Sequence, residues 1–151
     1  PELIIADEPT TALDVTVQAQ ILNILNSLRK ERKLSILFIS HDFGVISQLC
    51  DRVIVMYAGS IVEEGPVKNI MQQAAHPYTS ELIKCVPQLG NKEHALHSIP
   101  GNPPSLNQLP EGCAFANRCQ YKQDQCLKGS VPVSSKDNRS YKCFYPVGGT
   151  A

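Results

Sequence analysis

The sequence carries no excess of either charge: fourteen Lys and Arg balance fourteen Asp and Glu over 151 residues. That balance lacks the usual footprint of a polyanion binder, so no nucleic acid is expected among its partners. No uninterrupted apolar run approaches the roughly 18 residues of a transmembrane helix. No secretory leader is expected before the first apolar segment either. No GxxxxGK[ST] loop occurs anywhere, which excludes the cradle of backbone N–H groups and the lysine that such a loop offers to phosphates. Charged residues make up only 19% and apolar ones 42%, values that suit one ordinary globular core with a small appendage. Six cysteines without a leader favour thiols or metal ligation over disulfides.

What is present is concentrated at the start. Leu3-Ile4-Ile5-Ala6 has no polar alternation and predicts a strand buried on both faces. It ends in the adjacent carboxylates Asp7 and Glu8, and Pro9 stops it. Acids at the carboxyl end of a buried strand stand where α/β proteins place ligand chemistry. The pattern is that of a Walker B strand, in which Asp7 would help to hold Mg²⁺ beside nucleotide phosphates and Glu8 would orient the attacking water. A helix is expected from about Val15 to Arg32, with Val17, Ile21, Ile24, Leu25 and Leu28 on one stripe. Asp14 stands in front of it as a natural N-cap. Ser35 to Ser40 is again continuously apolar and predicts a second buried strand, parallel to the first because a helix joins them. His41 follows that strand. A right-handed crossover brings both carboxyl ends to one edge, so Asp7, Glu8 and His41 are expected to converge.

A short helix over 43–50 and a strand over Arg52–Tyr57 come next. Ala58-Gly59 turns that strand into a hairpin with Ser60–Glu64. Gly65-Pro66 breaks the hairpin, and helices are expected over Val67–Gln73 and from His76-Pro77-Tyr78 to about Val86. The organisation predicted is therefore residues 1–86 as one lobe, a proline-rich connector over 87–110, and a cysteine-rich tail over 111–151. The tail has little apolar periodicity, so a cross-link or metal is expected to hold it. Its spacing is Cys113-x5-Cys119-x6-Cys126-x16-Cys143. Zinc sites prefer pairs two to four residues apart, which this lacks, and four thiolates suit an iron–sulfur cluster equally well. Spacing alone leaves both open. Cys50 and Cys85 read as core residues, and His76, His94 and His97 as surface or helix-start histidines with no ligand role.

Together these motifs resemble one family. LIIADEPTTALD (3–14) is similar to the Walker B motif and D-loop of ATP-binding-cassette ATPases, ISHD (39–42) to their H-loop, and DRVIVMYAGSIVEEG to the hairpin that follows. HPYTSEL (76–82), IPGNPPSL (99–106) and the cysteine tail narrow the resemblance to the ATPase subunits of dipeptide, oligopeptide and nickel importers. It implies an α/β P-loop lobe in which Asp7 serves Mg²⁺, Glu8 is the catalytic base, His41 contacts the γ-phosphate of ATP, and Asp14 lies on a D-loop facing a second nucleotide-binding domain. It also implies a four-iron four-sulfur cluster on Cys113, Cys119, Cys126 and Cys143. The implied partners are a second ATPase subunit and transmembrane permeases, at the cytoplasmic face of the membrane. The Walker A, Q-loop and signature motifs of that family are missing, so the sequence reads as the carboxyl-terminal part of such an ATPase, expected to be inactive alone. The alternative is a non-enzymatic, metal-stapled docking or regulatory module of the same transporter.

Overall fold

The computed structural model describes residues 1–86, 97–105 and 107–148. They form a mixed α/β structure that divides into two compact units, Pro1–Cys50 and Asp51–Ala151. That division differs from the motif-based one, since the hairpin and the cysteine segment share the second unit.

In the first unit β1 (Leu3–Asp7) and β2 (Ser35–Ile39) pair in parallel, with Leu3 beside Ser35 and Asp7 beside Ile39. They are joined by α1 (Val15–Arg32), and α2 (Phe43–Leu49) follows β2. Asp14 caps α1 by accepting from the Val17 N–H at 2.9 Å, and Lys33 closes it in the left-handed conformation at φ +52°. Asp42 caps α2 through the N–H groups of Gly44 and Val45. Both caps satisfy donors that the first helical turn leaves unpaired.

The two strands depart from the expectation of burial on both faces. Leu3 and Ile5 are 52% and 63% exposed, and Leu37 and Ile39 beside them are also open, while Ile4, Ala6, Ile36 and Phe38 are covered or half-covered. Paired residues of parallel strands project to the same side, so one whole face of this two-stranded sheet lies bare within the unit. The helix stripe is also narrower than expected. Val17, Ile21, Leu25 and Leu28 are half-buried, but Ile24 is exposed.

The second unit is built on an antiparallel sheet of order β3-β4-β6-β5. Its strands are β3 (Arg52–Tyr57), β4 (Ser60–Pro66), β5 (Val133–Lys136) and β6 (Arg139–Lys142), with α3 (Val67–Gln73) and α4 (Pro77–Lys84) following β4. In β3 the residues alternate, with Val53, Val55 and Tyr57 buried and Ile54 and Met56 exposed. Ala58 and Gly59 both take positive φ, as a two-residue hairpin turn demands. The pairing of β5 with β6 was not foreseen. Its turn, Asp137-Asn138, also has both residues at positive φ but lacks the glycine that marks such turns in sequence.

The tail is thereby stitched to the hairpin. Glu63 and Glu64 of β4 stand opposite Tyr141 and Ser140 of β6, the Val147 N–H donates to the Ala75 carbonyl at 2.8 Å, and Arg139 donates to the Gln73 carbonyl. Gly65 permits this approach, because a Cβ there would stand 2.7 Å from the Arg139 Cβ. Phe115 of the tail is buried with Ala116 in the unit's core, edge-on to Tyr57 at 5.3 Å between centroids and 5.3 Å from Tyr78. Such aromatic pairs add to the area they bury. The connector is seen in part: Arg118 donates to the carbonyls of Ile99 and Pro100 at 2.8 and 2.9 Å. Residues 87–96 and 106 of the predicted connector, including His94, lie outside the described residues.

Beneath this sheet Glu63 is fully buried. Its carboxylate accepts from the N–H groups of Ala75 and His76 at 2.8 and 2.9 Å, fixing the turn into α4. Replacing it by Gln turns an amide NH₂ toward one of those donors. Glu63→Gln is therefore expected to cost about 1–3 kcal/mol, the worth of a buried unsatisfied group. Glu63→Ala, which orphans both donors and leaves a void, is expected to cost about 3–5 kcal/mol. Urea unfolding of the two variants measures this, and unchanged midpoints would refute the role given to Glu63.

Candidate functional site

Two clusters carry chemistry, one in each unit. The first is at the carboxyl ends of β1 and β2. The Glu8 N–H donates to the Ile39 carbonyl at 2.9 Å, extending the parallel ladder one residue beyond Asp7. Glu8 itself sits at φ +48°, a left-handed conformation that a residue with a Cβ adopts only when its surroundings hold it there. Its carboxylate then meets His41, whose Nδ1 lies 2.9 Å from both Oε1 and Oε2. The Thr11 hydroxyl donates to Oε2 from the other side. Convergence of Glu8 and His41 was legible from the two strand ends; Thr11 was not singled out.

The electrostatics follow from these contacts. The Thr11 hydroxyl, and then His41, hold the Glu8 carboxyl below the usual carboxylate range. The hydrogen bond and charge of Glu8 push the His41 imidazole above its ordinary value. Both groups face solvent, His41 most of all. Asp7 is exposed at the strand end beside this pair. Asp14 is engaged as the α1 cap and takes no part in the Glu8–His41 contact. An ionised carboxylate with an imidazole alongside can orient a water molecule and can offer a donor to an arriving anion.

The second cluster is in the tail. Gly112 crosses the chain so closely that a Cβ there would stand 2.3 Å from the Cys126 carbonyl oxygen. The next N–H, that of Cys113, donates to that same oxygen at 2.8 Å. Short 3₁₀ turns at Ala116–Arg118 and Asp124–Leu127 place Cys119 after the first and Cys126 within the second, while Cys143 follows β6. The result is one pocket lined by Cys113, Cys119, Cys126 and Cys143 together with His76 and Phe115. All four cysteines are thiols. Burial pushes the Cys143 thiol up to about 12 and raises Cys113 and Cys119 as well, with the neighbouring cysteines adding to the shift. Among the described residues no three His, Cys, Asp or Glu side chains are arranged to hold a single metal ion. Cys50 and Cys85 are half-buried and lie outside this pocket.

His76 corrects the sequence reading. It does start a helix, with Nδ1 accepting from the Tyr78 N–H at 3.1 Å, but it is a core residue only 1% exposed. Burial lowers its pKa to about 4. A helix-start signal is local, whereas this burial comes from Phe115 and the Glu63-held turn. His97 is exposed as expected, bonded through Nε2 to Glu81 at 2.6 Å.

Residues 62–126 match the family profile of the oligopeptide/dipeptide transporter C-terminal region. Over 147 residues the chain is 46% identical to the oligopeptide transport ATP-binding protein OppD of Salmonella typhimurium, covering 97% of this chain and 44% of that protein. Over almost its whole length the chain is similar to peptide-transport ATP-binding proteins. A second relative, OppD of Haemophilus influenzae, is 54% identical over 127 residues, 83% of this chain and 39% of its own length. The probable D,D-dipeptide transport ATP-binding protein DdpD of Escherichia coli is 47% identical over 147 residues, covering 97% and 45% respectively. The chain thus spans less than half the length of these relatives. The profile match runs from β4 to Cys126, so it takes in His76-Pro77-Tyr78 and three of the pocket cysteines.

The pair at the strand ends makes a prediction about pH. A raised imidazole pKa means that the charged pair persists to a pH above the ordinary histidine range and is lost as pH rises through the raised value. In an NMR titration His41 is expected to titrate above 6.5. Glu8→Gln should return it toward that value. A His41 titration unmoved by the substitution would rule out the pairing in solution.

Proposed function

We propose that this chain supplies the carboxyl-terminal part of an ATP-hydrolysing subunit that powers import of di- and oligopeptides or related solutes. The observation that carries this is the Glu8–His41 pair, held 2.9 Å apart at the carboxyl ends of two parallel strands, in a chain 46% identical to an oligopeptide transport ATP-binding protein. In this reading residues 1–86 are the P-loop ATPase portion, 87–110 a connector and 111–151 a metal-binding tail. Asp7 serves Mg²⁺, Glu8 orients and activates the attacking water, and His41 contacts the γ-phosphate. Asp14 joins its capping role to a place on the interface with a second ATP-binding subunit. These 151 residues contain no GxxxxGK[ST] phosphate loop. Permease subunits would hold the assembly at the cytoplasmic face of the membrane as a peripheral component. In keeping with that, no helix among the described residues is long and apolar enough to cross a membrane.

His41 has two suitors in this scheme. Without nucleotide its Nδ1 is tied to Glu8. A γ-phosphate arriving at the rim competes for the imidazole, and release of Glu8 from it raises the carboxylate's basicity when a proton must be taken.

The same reading assigns an iron–sulfur cluster to Cys113, Cys119, Cys126 and Cys143. One feature supports the fit: the donors are four thiols around one pocket, a set that suits an iron–sulfur cluster, with zinc as the alternative. Because burial favours the protonated thiols of Cys113, Cys119 and Cys143, loading must release protons. When bound, the cluster supplies a cross-link among segments that carry few apolar contacts. The second unit is compact by itself, and this favours a further role as a docking or regulatory module.

Three tests follow. The chain alone is expected not to bind Mg-ATP, and micromolar binding by calorimetry would refute the division of labour. In a subunit that also carries a phosphate loop, Glu8→Gln should slow hydrolysis roughly 10²–10⁴-fold while nucleotide binding survives, the usual worth of a general base. His41→Ala should likewise spare binding and cut turnover, and parental turnover in either variant would remove its assigned role. For the tail, anaerobically purified protein should contain iron and acid-labile sulfide, and any single Cys→Ser change among the four should lower that content. Full iron loading of a Cys126→Ser/Cys143→Ser variant would overturn the ligand set, and zinc in place of iron would overturn the cluster.

A further inference from the structure

His76 presents a hydrogen-bond donor that the fold leaves unspent. Its Nδ1 accepts from the Tyr78 backbone N–H at 3.1 Å, so Nδ1 must carry the lone pair and the neutral ring must carry its proton on Nε2. The ring is neutral because burial lowers its pKa to about 4. Nε2 is buried and has no hydrogen-bond partner. A buried donor left unpaired is costly, and native structures rarely tolerate one without a function. The same ring lines the pocket that the four cysteines line.

We infer that the Nε2–H of His76 is a side-chain hydrogen-bond donor of the cysteine pocket, given to a sulfur of the group bound there and added to the backbone donors that the cysteines already have. This rests on the cluster reading above. The chemistry is complementary. Four thiolates bring negative charge into a buried pocket, and sulfur accepts hydrogen bonds from N–H groups that stabilise that charge. Backbone groups of Phe115 and Ala116 already bond Cys113, that of Tyr121 bonds Cys119 and that of Tyr145 bonds Cys143. The lining side chains other than the cysteines, His76, Tyr121 and Tyr145 are apolar, and no other histidine among the described residues lines the pocket. The ring is also rigidly aimed. Its backbone N–H is held by the buried Glu63 at 2.9 Å, its Nδ1 by Tyr78, and its ring centroid lies 6.0 Å from that of the tilted Phe115 ring. His76 is therefore a positioning and tuning residue, touching the bound group without ligating it. A ligand role would leave the four thiols one donor in excess.

The test keeps the cap and removes the donor. Asn is a favoured N-cap residue whose oxygen can accept from the Tyr78 N–H, but it does not reach as far as Nε2. In the metal-loaded chain, His76→Asn should retain parental iron and sulfide. It should show a smaller deuterium shift of the iron–sulfur stretching bands in resonance Raman spectra. It should also be harder to reduce: at the parental midpoint the reduced fraction should fall about tenfold relative to the oxidised, the order expected for one charge-assisted hydrogen bond to sulfur. In the parental protein, ¹⁵N-histidine NMR should find the His76 proton on Nε2. Full loading with unchanged Raman shifts and potential would overturn this inference and leave the cluster standing, as would a ring protonated on Nδ1. A parental protein without iron and sulfide would overturn both.

Discussion

The second unit depends on one buried charge. Glu63 sits on β4 with no exposure, and its two oxygens answer the N–H groups of Ala75 and His76. A carboxylate in that position is tolerable only because both oxygens have donors in good geometry. The consequence runs outward. With the turn fixed, His76 caps α4, Tyr78 reaches Tyr57 at 4.7 Å between centroids, and Phe115 closes the aromatic cluster. Ala75, gripped from one side by Glu63, accepts from Val147 on the other. Sheet, helix and tail therefore meet at two peptide units. The geometry of the cysteine pocket cannot be better than the turn that places its histidine, and that turn is set by Glu63.

At the other site the controlling fact is a competition. Glu8 is shared between the Thr11 hydroxyl and His41, which makes the carboxylate a weaker base, while Glu8 makes the His41 imidazole a stronger one. The strained backbone at Glu8, φ +48°, is what turns its side chain toward His41 and Thr11 at once. Solvent reaches both groups, so salt and pH act on the pair directly.

Much of this was legible from residues alone, and the misses have physical causes. α1, β3 and α3 were predicted with the bounds observed, because periodicity and the flanking Asp14, Gly59 and Pro66 mark them. The meeting of Glu8 with His41 followed from parallel pairing. Burial was overread for β1 and β2: a continuous apolar run says that both faces suit burial, not that something covers both. β5 and β6 were missed because Val133–Lys136 and Arg139–Lys142 are short and polar, and their Asp137-Asn138 turn lacks glycine. His76 was misplaced because its cap is written locally while its burial depends on Phe115, about forty residues away in sequence. Thr11 gave no signal at all, since a threonine three residues after a carboxylate is unremarkable until the backbone of Glu8 turns left-handed.

The pairing of β4 with β6 has a consequence in time as well as space. Glu63 and Tyr141 are partners across about half of the chain, and contacts of such sequence separation form late because the intervening loop must first be closed. Cys143 comes just after β6, so the pocket's fourth thiol arrives only when that last strand has docked. During synthesis Cys113, Cys119 and Cys126 emerge first, as a three-thiol site beside an unpaired β4 edge. A growing chain at that stage is a strand template and an incomplete set of thiols together. Assembly of the cysteine pocket and protection of the sheet edge are then a single event, completed by the same few residues.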